Sequence, residues 1–332
     1  MAYVPVQHSL NSESAPDGGA SSAGRQWSVK EILDWCQSYL ERCGDENPRL
    51  SAEWLLAEAL GMSRIDLYLN YAKPLSTEER ATMREWVRRR GAGEPLQLIC
   101  GFAPFRHLTI RVEPGVLVPR PETEVLVSEA LNALKLPSVA AHVVSGPDGL
   151  EETLEADLPG IEAVDLCTGS GCIACSIASE YPAARVVAID IDPAALSLAQ
   201  RNINDLGLYE RVELLCGDLL AELLPDGRDH YDLIISNPPY VPTAVCQSLD
   251  SEVKDYDPLL ALDGGEDGLD LVRRFAGDAL FCLKPGGLLA LELYEGHMDK
   301  AKALLEEQGF SSIDVKEDLT GRPRVILARK PE

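Results

Sequence analysis

The chain has 332 residues, and its 30 basic and 54 acidic side chains give a formal net charge of −24. An apolar fraction of 45% with 25% charged residues is typical of a globular protein, not a disordered or fibrous one. Lys and Arg contacts drive non-specific binding to nucleic acid, so this charge argues against a direct nucleic-acid partner.

No run approaches the roughly 18 consecutive apolar residues of a membrane span, and the N-terminus has no signal-peptide pattern. We therefore expect a cytoplasmic protein without membrane contact. Nine cysteines in such a chain are expected to be reduced thiols.

The first 90 residues are predicted to form a tail and a helical domain. Residues 1–26 are rich in Ser and Gly and poor in large apolar side chains, which predicts a disordered tail. In residues 27–90 apolar side chains recur every three to four positions, as in helices. Gly44 and Gly61 are typical of helix ends, and Ser76 begins a capping pattern.

The next segments are predicted to be a connector and the start of a larger domain at 119–332. Two β-type runs, 96–100 and 108–112, are broken by Gly and Pro, which predicts a hairpin-like connector at 91–118. Residues 136–160 contain five acidic and no basic side chains, so we interpret them as a solvated surface insertion.

From residue 161 onward, apolar runs alternate with helical stretches. This alternation predicts an α/β domain with a parallel sheet covered by helices. Two final runs, at 313–317 and 324–328, are predicted to form an antiparallel pair. The five earlier predicted strands are 161–167, 185–190, 212–216, 231–236 and 288–293.

A glycine-rich loop follows the first of these strands. Gly169 and Gly171 allow a tight turn and a close approach to a ligand at the start of a helix. Asp190 ends the next strand, where a carboxylate can accept hydrogen bonds from ribose hydroxyls. The pattern predicts a nucleoside cofactor, but it also fits the dinucleotide fingerprint GxGxxG/A. A structural alternative is that the glycines only shape the turn and that Asp190 or Asp192 caps a helix.

Two further features near the loop have competing interpretations. Asp218 follows the third strand, where it can lie near an adenine amino group or simply occupy a turn. Cys167, Cys172 and Cys175 have the C-x4-C-x2-C spacing of iron–sulfur ligands. We interpret these thiols as small packing groups of a strand end and a helix, and we predict no metal site.

The most informative motif is Asn237-Pro238-Pro239-Tyr240, which ends an apolar strand. The prolines fix the backbone, so that the Asn237 side-chain oxygen and the Pro238 carbonyl can accept both hydrogens of one planar NH2 group. Tyr240 offers a face for stacking. Such a site suits methyl transfer to an amide or aromatic amino nitrogen, where orientation of the lone pair is the main catalytic device.

With these motifs in order, the chain from about residue 27 onward resembles the peptide chain release factor glutamine methyltransferases, called PrmC or HemK. The resemblance implies a class I S-adenosylmethionine-dependent methyltransferase with a seven-stranded, mostly parallel Rossmann-like sheet. It also implies that the N-terminal helical domain binds the substrate protein. The segments that carry the resemblance are 93–96, 115–124, 165–171, 237–240, 256–265 and 283–287.

The implied reaction is methylation of the side-chain nitrogen of the glutamine in the GGQ motif of class I release factors. We expect the protein to be a monomer. By position, S-adenosylmethionine would contact Asp190 at its ribose, Asp218 and Leu219 at its adenine, and Asn237. The acceptor amide would contact the motif at 237–240, with Asn237, Pro238 and Tyr240 in the catalytic roles. The resemblance also places the glycine-rich loop against the cofactor, namely Cys167, Thr168, Gly169, Ser170 and Gly171.

Some segments differ from the family pattern or allow a plainer interpretation. Residues 291–297 lack the Gly-Gln sequence expected after the fifth strand, the insertion before residue 161 is long, and the tail is extra. The segment 119–123 resembles the family's site-proximal segment, but it can also be a plain helix start.

Three alternative functions remain open at this level. A sister family methylates a ribosomal protein glutamine, and adenine-N6 methyltransferases of DNA or RNA use a similar motif. A non-catalytic S-adenosylmethionine-binding protein would have no need of the acceptor motif. Residues 119–123 favour the release-factor branch, and a net charge of −22 over residues 91–332 argues against nucleic acid.

A basic cluster in the helical domain also has two interpretations. It is either a solvated helix end, favoured by the helix dipole, or a contact for an acidic release factor. If the cluster contacts release factor, reversing the charges of Arg88 and Arg89 would raise the KM for release factor. The cluster comprises Arg84, Arg88, Arg89 and Arg90.

Overall fold

The computed structural model of the protein describes residues 26–136, 143–145, 151–153, 158–249 and 251–332. The predicted tail, apart from its last residue, and most of the predicted acidic insertion lie outside the described residues. The chain forms two compact units that divide between Cys100 and Gly101. This division falls inside the segment 91–118, which the sequence predicts to be a connector.

The first unit is helical, as predicted. Gly44 and Gly61 end two helices with positive φ angles of 86° and 59°. Ser76 forms a capping box, because its Oγ accepts from the Glu79 N–H and the Glu79 carboxylate accepts from the Ser76 N–H. The helices of this unit are α1 (Val29–Cys43), α2 (Pro48–Leu60), α3 (Arg64–Leu69), α4 (Thr77–Gly91) and α5 (Leu96–Cys100).

The predicted strand at 96–100 is wrong, since this run is helix α5. Leu98 and Ile99 are buried, and Ile99 belongs to the apolar core of the first unit. A run of five residues is too short for periodicity to distinguish a buried strand from a buried helix. The packing of the unit therefore decides its conformation.

The second unit begins with a hairpin formed by β1 (Phe102–Phe105) and β2 (Leu108–Arg111), which pair antiparallel. Helix α6 (Pro121–Ala133) follows. Inside the acidic insertion, two short strands, β3 (Val143–Ser145) and β4 (Glu151–Thr153), also pair antiparallel.

The main sheet of the second unit has seven strands in the order β10-β11-β9-β8-β5-β6-β7. The predicted parallel sheet is confirmed from β5 to β9, and the predicted antiparallel terminal pair is β10 with β11. The strands are β5 (Ile161–Leu166), β6 (Ala184–Asp190), β7 (Val212–Cys216), β8 (Tyr231–Ser236), β9 (Leu283–Glu292), β10 (Ser311–Glu317) and β11 (Pro323–Arg329).

Helices pack on both faces of this sheet, because successive residues of a strand point to opposite sides. Ala163 of β5 belongs to one apolar cluster with side chains of α6 and the next two helices, whereas Val164 belongs to another with the last two long helices. The remaining helices are α7 (Cys172–Glu180), α8 (Pro193–Asp205), α9 (Thr243–Cys246), α10 (Ser251–Lys254), α11 (Asp270–Cys282) and α12 (Met298–Gln308).

The strand order brings the two predicted motifs together. β5 lies between β6 and β8, so the strand order reverses there and leaves a crevice at the carboxyl ends. The Ser236 hydroxyl at the end of β8 donates to the Leu166 carbonyl at the end of β5 over 2.5 Å. No helix in the described part of the chain is long and apolar enough to cross a membrane.

Candidate active site

The loop between β5 and α7 is held by a buried carboxylate. Asp165 Oδ2 accepts hydrogen bonds from the Thr168 hydroxyl at 2.6 Å and from the Ala174 N–H at 3.0 Å. Full burial raises the pKa of Asp165 to about 7. Gly169 and Gly171 take positive φ angles of 56° and 79°, which favour glycine. The loop is thus fixed at both ends and turns tightly at its centre.

Asp190 lies at the end of β6 and faces this loop. Its Oδ2 accepts from the Gly169 N–H at 2.8 Å, and its Oδ1 accepts from the Asp192 N–H at 3.0 Å. Burial raises the pKa of Asp190, against the lowering effect of these two bonds. Asp192 caps α8 by accepting from the Ala194 N–H at 2.9 Å. Of the two aspartates that the sequence offers as a helix cap, Asp192 therefore caps α8 and Asp190 does not.

A cavity with a volume of about 210 Å³ lies at the carboxyl ends of β5 to β8 and is partly open to solvent. Three of the predicted site residues, Gly171, Pro238 and Tyr240, are described but do not line its wall. The wall does include nine others: Cys167, Thr168, Gly169, Ser170, Asp190, Asp218, Leu219, Asn237 and Pro239.

Two wall residues have unusual backbone conformations. Cys167 and Leu219 have φ angles of 61° and 59°, in the left-handed region that residues other than glycine rarely adopt. Such strain is concentrated at functional sites. Asp218 lies beside Leu219 and forms an ion pair with Arg274 over 2.7 Å, at the exposed edge of the cavity.

The cysteines near the loop are packing groups in this structure. Cys172 and Cys175 are buried in the apolar cluster of α7. Burial raises the pKa of the Cys167 and Cys175 thiols to about 12, which disfavours the thiolate form that a metal requires. Among the residues that the structure describes, no group of three or more His, Cys, Asp or Glu side chains could hold a metal ion.

The motif at 237–240 is tied to a buried polar network. Asn237 Nδ2 donates to the Thr123 Oγ1 over 3.0 Å, and the Thr123 hydroxyl donates to Glu292 Oε2 over 2.7 Å. The Tyr240 hydroxyl donates to Glu292 Oε1 over 3.3 Å. Burial raises the pKa of Glu292 to about 7 and also raises that of Tyr240. One carboxylate therefore contacts Tyr240 directly and Asn237 through the Thr123 hydroxyl.

Two glycines pack against the backbone of the motif. A Cβ at Gly264 would lie 2.7 Å from the Pro239 carbonyl oxygen and 2.7 Å from Tyr240 Cα. A Cβ at Gly268 would lie 2.3 Å from the Tyr240 carbonyl oxygen. The Val241 N–H also donates to the Leu262 carbonyl over 2.8 Å. The segment near residues 256–265 therefore supports the motif by close packing.

The segment 119–123 is both a helix start and part of the site. Pro121 is the first residue of α6. Arg120 forms an ion pair with the buried Asp257, and Pro119, Arg120 and Thr123 line the cavity. The two interpretations of this segment are thus compatible.

Sequence reasoning assigned no role to Thr123 or Glu292, although it singled out both stretches. The position of Glu292 near the end of the apolar run 288–293 could have indicated a buried carboxylate with polar partners, because a buried charge needs such partners. Ile191 was also missed. It lines the cavity, and 53% of its surface is exposed.

Both units of the chain are similar to known protein families. A family model of the PrmC N-terminal domain matches residues 31–101, and a model of the methyltransferase small domain matches residues 139–250. A release factor glutamine methyltransferase of Geobacter sulfurreducens is 41% identical over 303 residues, covering 91% of this chain and 97% of that protein.

Another relative and a solved structure complete the comparison. A release factor glutamine methyltransferase of Rhodopirellula baltica is 38% identical over 305 residues, covering 92% of this chain and 97% of that protein. The crystal structure of a methyltransferase from Pyrococcus furiosus is 21% identical with a TM-score of 0.40, and the match covers 64% of this chain and 100% of that one.

Proposed function

Since this chain belongs to the release factor glutamine methyltransferase family, we propose that it methylates the side-chain amide nitrogen of the GGQ-motif glutamine in class I peptide chain release factors. The methyl donor is S-adenosylmethionine, the cofactor that this class of methyltransferase implies. The observation that carries the proposal is that Asn237 and Pro239 line the same cavity as Gly169 and Asp190. Groups suited to a nucleoside and groups suited to an amide therefore face one space.

The wall residues fit this cofactor. Each carboxylate oxygen of Asp190 accepts one backbone hydrogen bond and has a further lone pair for a ribose hydroxyl. Gly169 and Val116 both line the cavity, and a Cβ at Gly169 would lie 3.8 Å from the Val116 side chain. Ile191 and Leu219 supply apolar contacts suited to an adenine ring. When bound, the cofactor supplies an electrophilic methyl group on a sulfonium.

The residues of the motif bind and orient the acceptor. An amide nitrogen is a weak nucleophile because its lone pair is delocalised. The Asn237 side-chain oxygen, on the cavity wall, accepts one N–H hydrogen of the acceptor amide. Pro238 and Tyr240 do not line the cavity but flank the wall residue Pro239 in the chain, and their proposed roles are to accept the second hydrogen at the Pro238 carbonyl and to pack the Tyr240 ring on the amide plane. Such orientation contributes up to about 7–11 kcal/mol in favourable cases. When the methyl group is transferred, the amide nitrogen loses one of its two N–H protons. Among the described residues that line the cavity there is no histidine, so in this scheme that proton passes to solvent without a strong general base.

The charge of the wall favours a protein acceptor. Its two basic side chains, Arg120 and Arg274, are both paired with carboxylates. The wall also contains Asp190, Asp192 and Asp263. A nucleic-acid acceptor would bring phosphates to this acidic surface at an electrostatic cost.

The test is peptide mapping by mass spectrometry of an unmethylated release factor after incubation with this protein and S-adenosylmethionine. The control substrate is the same factor with its GGQ glutamine replaced. We expect one methyl group on that glutamine and none on the control. No transfer, with cofactor binding verified by calorimetry, would overturn the proposal and direct attention to ribosomal protein and nucleic-acid acceptors.

A further inference from the structure

We propose that Thr123 and Glu292 are positioning residues that lock the side-chain amide of Asn237 with its oxygen toward the acceptor. The inference rests on the proposed function, in which Asn237 Oδ1 accepts a hydrogen from the substrate amide. The two positioning residues contact the motif from outside it, through the first turn of α6 and the end of β9.

The Thr123 hydroxyl has a single hydrogen. That hydrogen is donated to Glu292 Oε2 over 2.7 Å, so the Thr123 oxygen can only accept from other neighbours. Asn237 presents its Nδ2 to this oxygen over 3.0 Å. The carboxylate therefore determines which end of the Asn237 amide contacts Thr123.

The opposite orientation of the amide is unfavourable on both sides. If Asn237 turned by half a revolution about its terminal bond, Oδ1 would face the Thr123 oxygen with no hydrogen between them. The amide N–H2 would then face the N–H2 of the acceptor. Each mismatch leaves polar groups without a hydrogen-bond partner, which is unfavourable beside the buried Thr123 and Glu292. The relay, meaning the hydrogen bonds from Asn237 to Thr123 and from Thr123 to Glu292, therefore selects the orientation of the Asn237 amide that binds substrate.

The relay is rigid because regular elements carry it. Glu292 ends β9, whose Leu291 pairs with Ser236 of β8, directly before Asn237. Only 3% of Thr123 and 1% of Glu292 is exposed. Water has little access to compete for these bonds, and a site supported by buried partners holds its geometry more closely than one on a free loop.

The protonation state of Glu292 determines the direction of the same hydrogen bonds. Burial raises its pKa to about 7, while Thr123 of α6, the Tyr240 hydroxyl and Arg324 of β11 favour the ionised form and Glu122 of α6 opposes it. Below that pH, a protonated Glu292 can donate to Thr123, whose own hydrogen is then free to bind Asn237 Oδ1. Turnover should fall as the pH drops through about 7, and Glu292→Gln should lack this dependence.

The decisive comparison is Thr123→Val against Thr123→Ser. Valine removes the hydroxyl at nearly constant volume, whereas serine keeps it. With saturating S-adenosylmethionine, we expect Thr123→Val to lower kcat for release factor about tenfold or more, because an oriented polar contact is lost. The kcat of Thr123→Ser should stay within about threefold of the wild-type value, because serine keeps the hydroxyl.

A double-mutant cycle shows whether Thr123 acts through Asn237. In an Asn237→Ala background, Thr123→Val should lower kcat no further, because the group that it orients is gone. A wild-type kcat for Thr123→Val, or an undiminished loss in the Asn237→Ala background, would overturn the inference.

A spectroscopic measurement separates this inference from the proposed function. The side-chain 15NH2 signal of Asn237, assigned by its loss in Asn237→Ala, should move in Thr123→Val and stay in place in Thr123→Ser. An unmoved signal in Thr123→Val overturns the relay even if turnover falls. If the wild type fails to methylate release factor while this signal behaves as expected, the proposed function fails and the relay stands.

Discussion

Gly264 offers a test of how closely the acceptor motif is held in place. Its φ lies outside the left-handed region, so a substitution there has a purely steric effect. In Gly264→Ala the new Cβ would lie 2.7 Å from both the Pro239 carbonyl oxygen and Tyr240 Cα. Both are main-chain atoms, and restoring ordinary contact at 3.4 Å needs a relative shift of 0.7 Å.

The shift has two measurable consequences. Overpacking of this kind costs about 1–3 kcal/mol, which for a unit of this size lowers Tm by about 2–10 °C. Since a misplacement of about 1 Å can cost 100-fold in rate, kcat should fall roughly tenfold to 100-fold. The affinity for S-adenosylmethionine should change little, because the three atoms nearest to the new Cβ belong to Pro239, Tyr240 and Gly268 and not to the glycine-rich loop or Asp190.

The assays are thermal unfolding by calorimetry and steady-state kinetics in which release factor is varied at saturating S-adenosylmethionine. Gly160→Ala is the matched control, because its φ is also outside the left-handed region and its Cβ would meet nothing closer than the Ala183 carbonyl at 3.8 Å. If Gly264→Ala and Gly160→Ala have the same Tm and kcat, the motif is not held by this packing and the reasoning is refuted.

Three further outcomes are expected. Asn237→Ala should keep cofactor binding by calorimetry and lose about 100-fold or more in turnover; near-wild-type turnover would contradict the mechanism. Burial opposes ionisation of Glu53, but hydrogen bonds from Tyr68, Arg64 and Arg49 prevail and lower its pKa from 4.5 to about 2. The ionised form therefore stabilises the fold above pH 4.5 and loses this effect as the pH falls toward 2. In urea titrations, Glu53→Gln should lower the free energy of unfolding by roughly 3 kcal/mol at pH 7 and by less at pH 3. An equal decrease at both pH values would refute a stabilising role for the ionised Glu53. Arg88→Glu should raise the KM for release factor in a salt-sensitive way if the basic cluster contacts it, and an unchanged KM removes that hypothesis.

The choice of Arg88 alone follows from the structure. The sequence suggested reversing Arg88 and Arg89 together, but Arg89 binds Glu94 and Arg90 binds Asp45 within the helical unit. Arg88 pairs with Glu85 while its side chain is 69% exposed. Its substitution therefore changes surface charge with little loss of internal contacts, since exposed ion pairs contribute about 0–1 kcal/mol.

The sequence by itself determined the features that depend on short-range rules. Gly44, Gly61 and Ser76 mark helix ends because caps are formed within a few residues. Alternating apolar runs determined the parallel sheet, and the positions of the glycine-rich loop and Asp190 at strand ends placed them at one edge. The segments 165–171 and 237–240 therefore indicate a shared site from the sequence alone.

Only the tertiary structure decided how the site is supported. The run 96–100 is a helix because of the core into which it packs. The hydrogen bonds of Thr123 reach across 114 residues to Asn237 and 169 residues to Glu292. No local pattern encodes such a contact, since sheet order and helix packing bring its partners together. The same packing buries Glu292 and raises its pKa, so the chemistry of this carboxylate is a property of the fold and not of its neighbours in the chain.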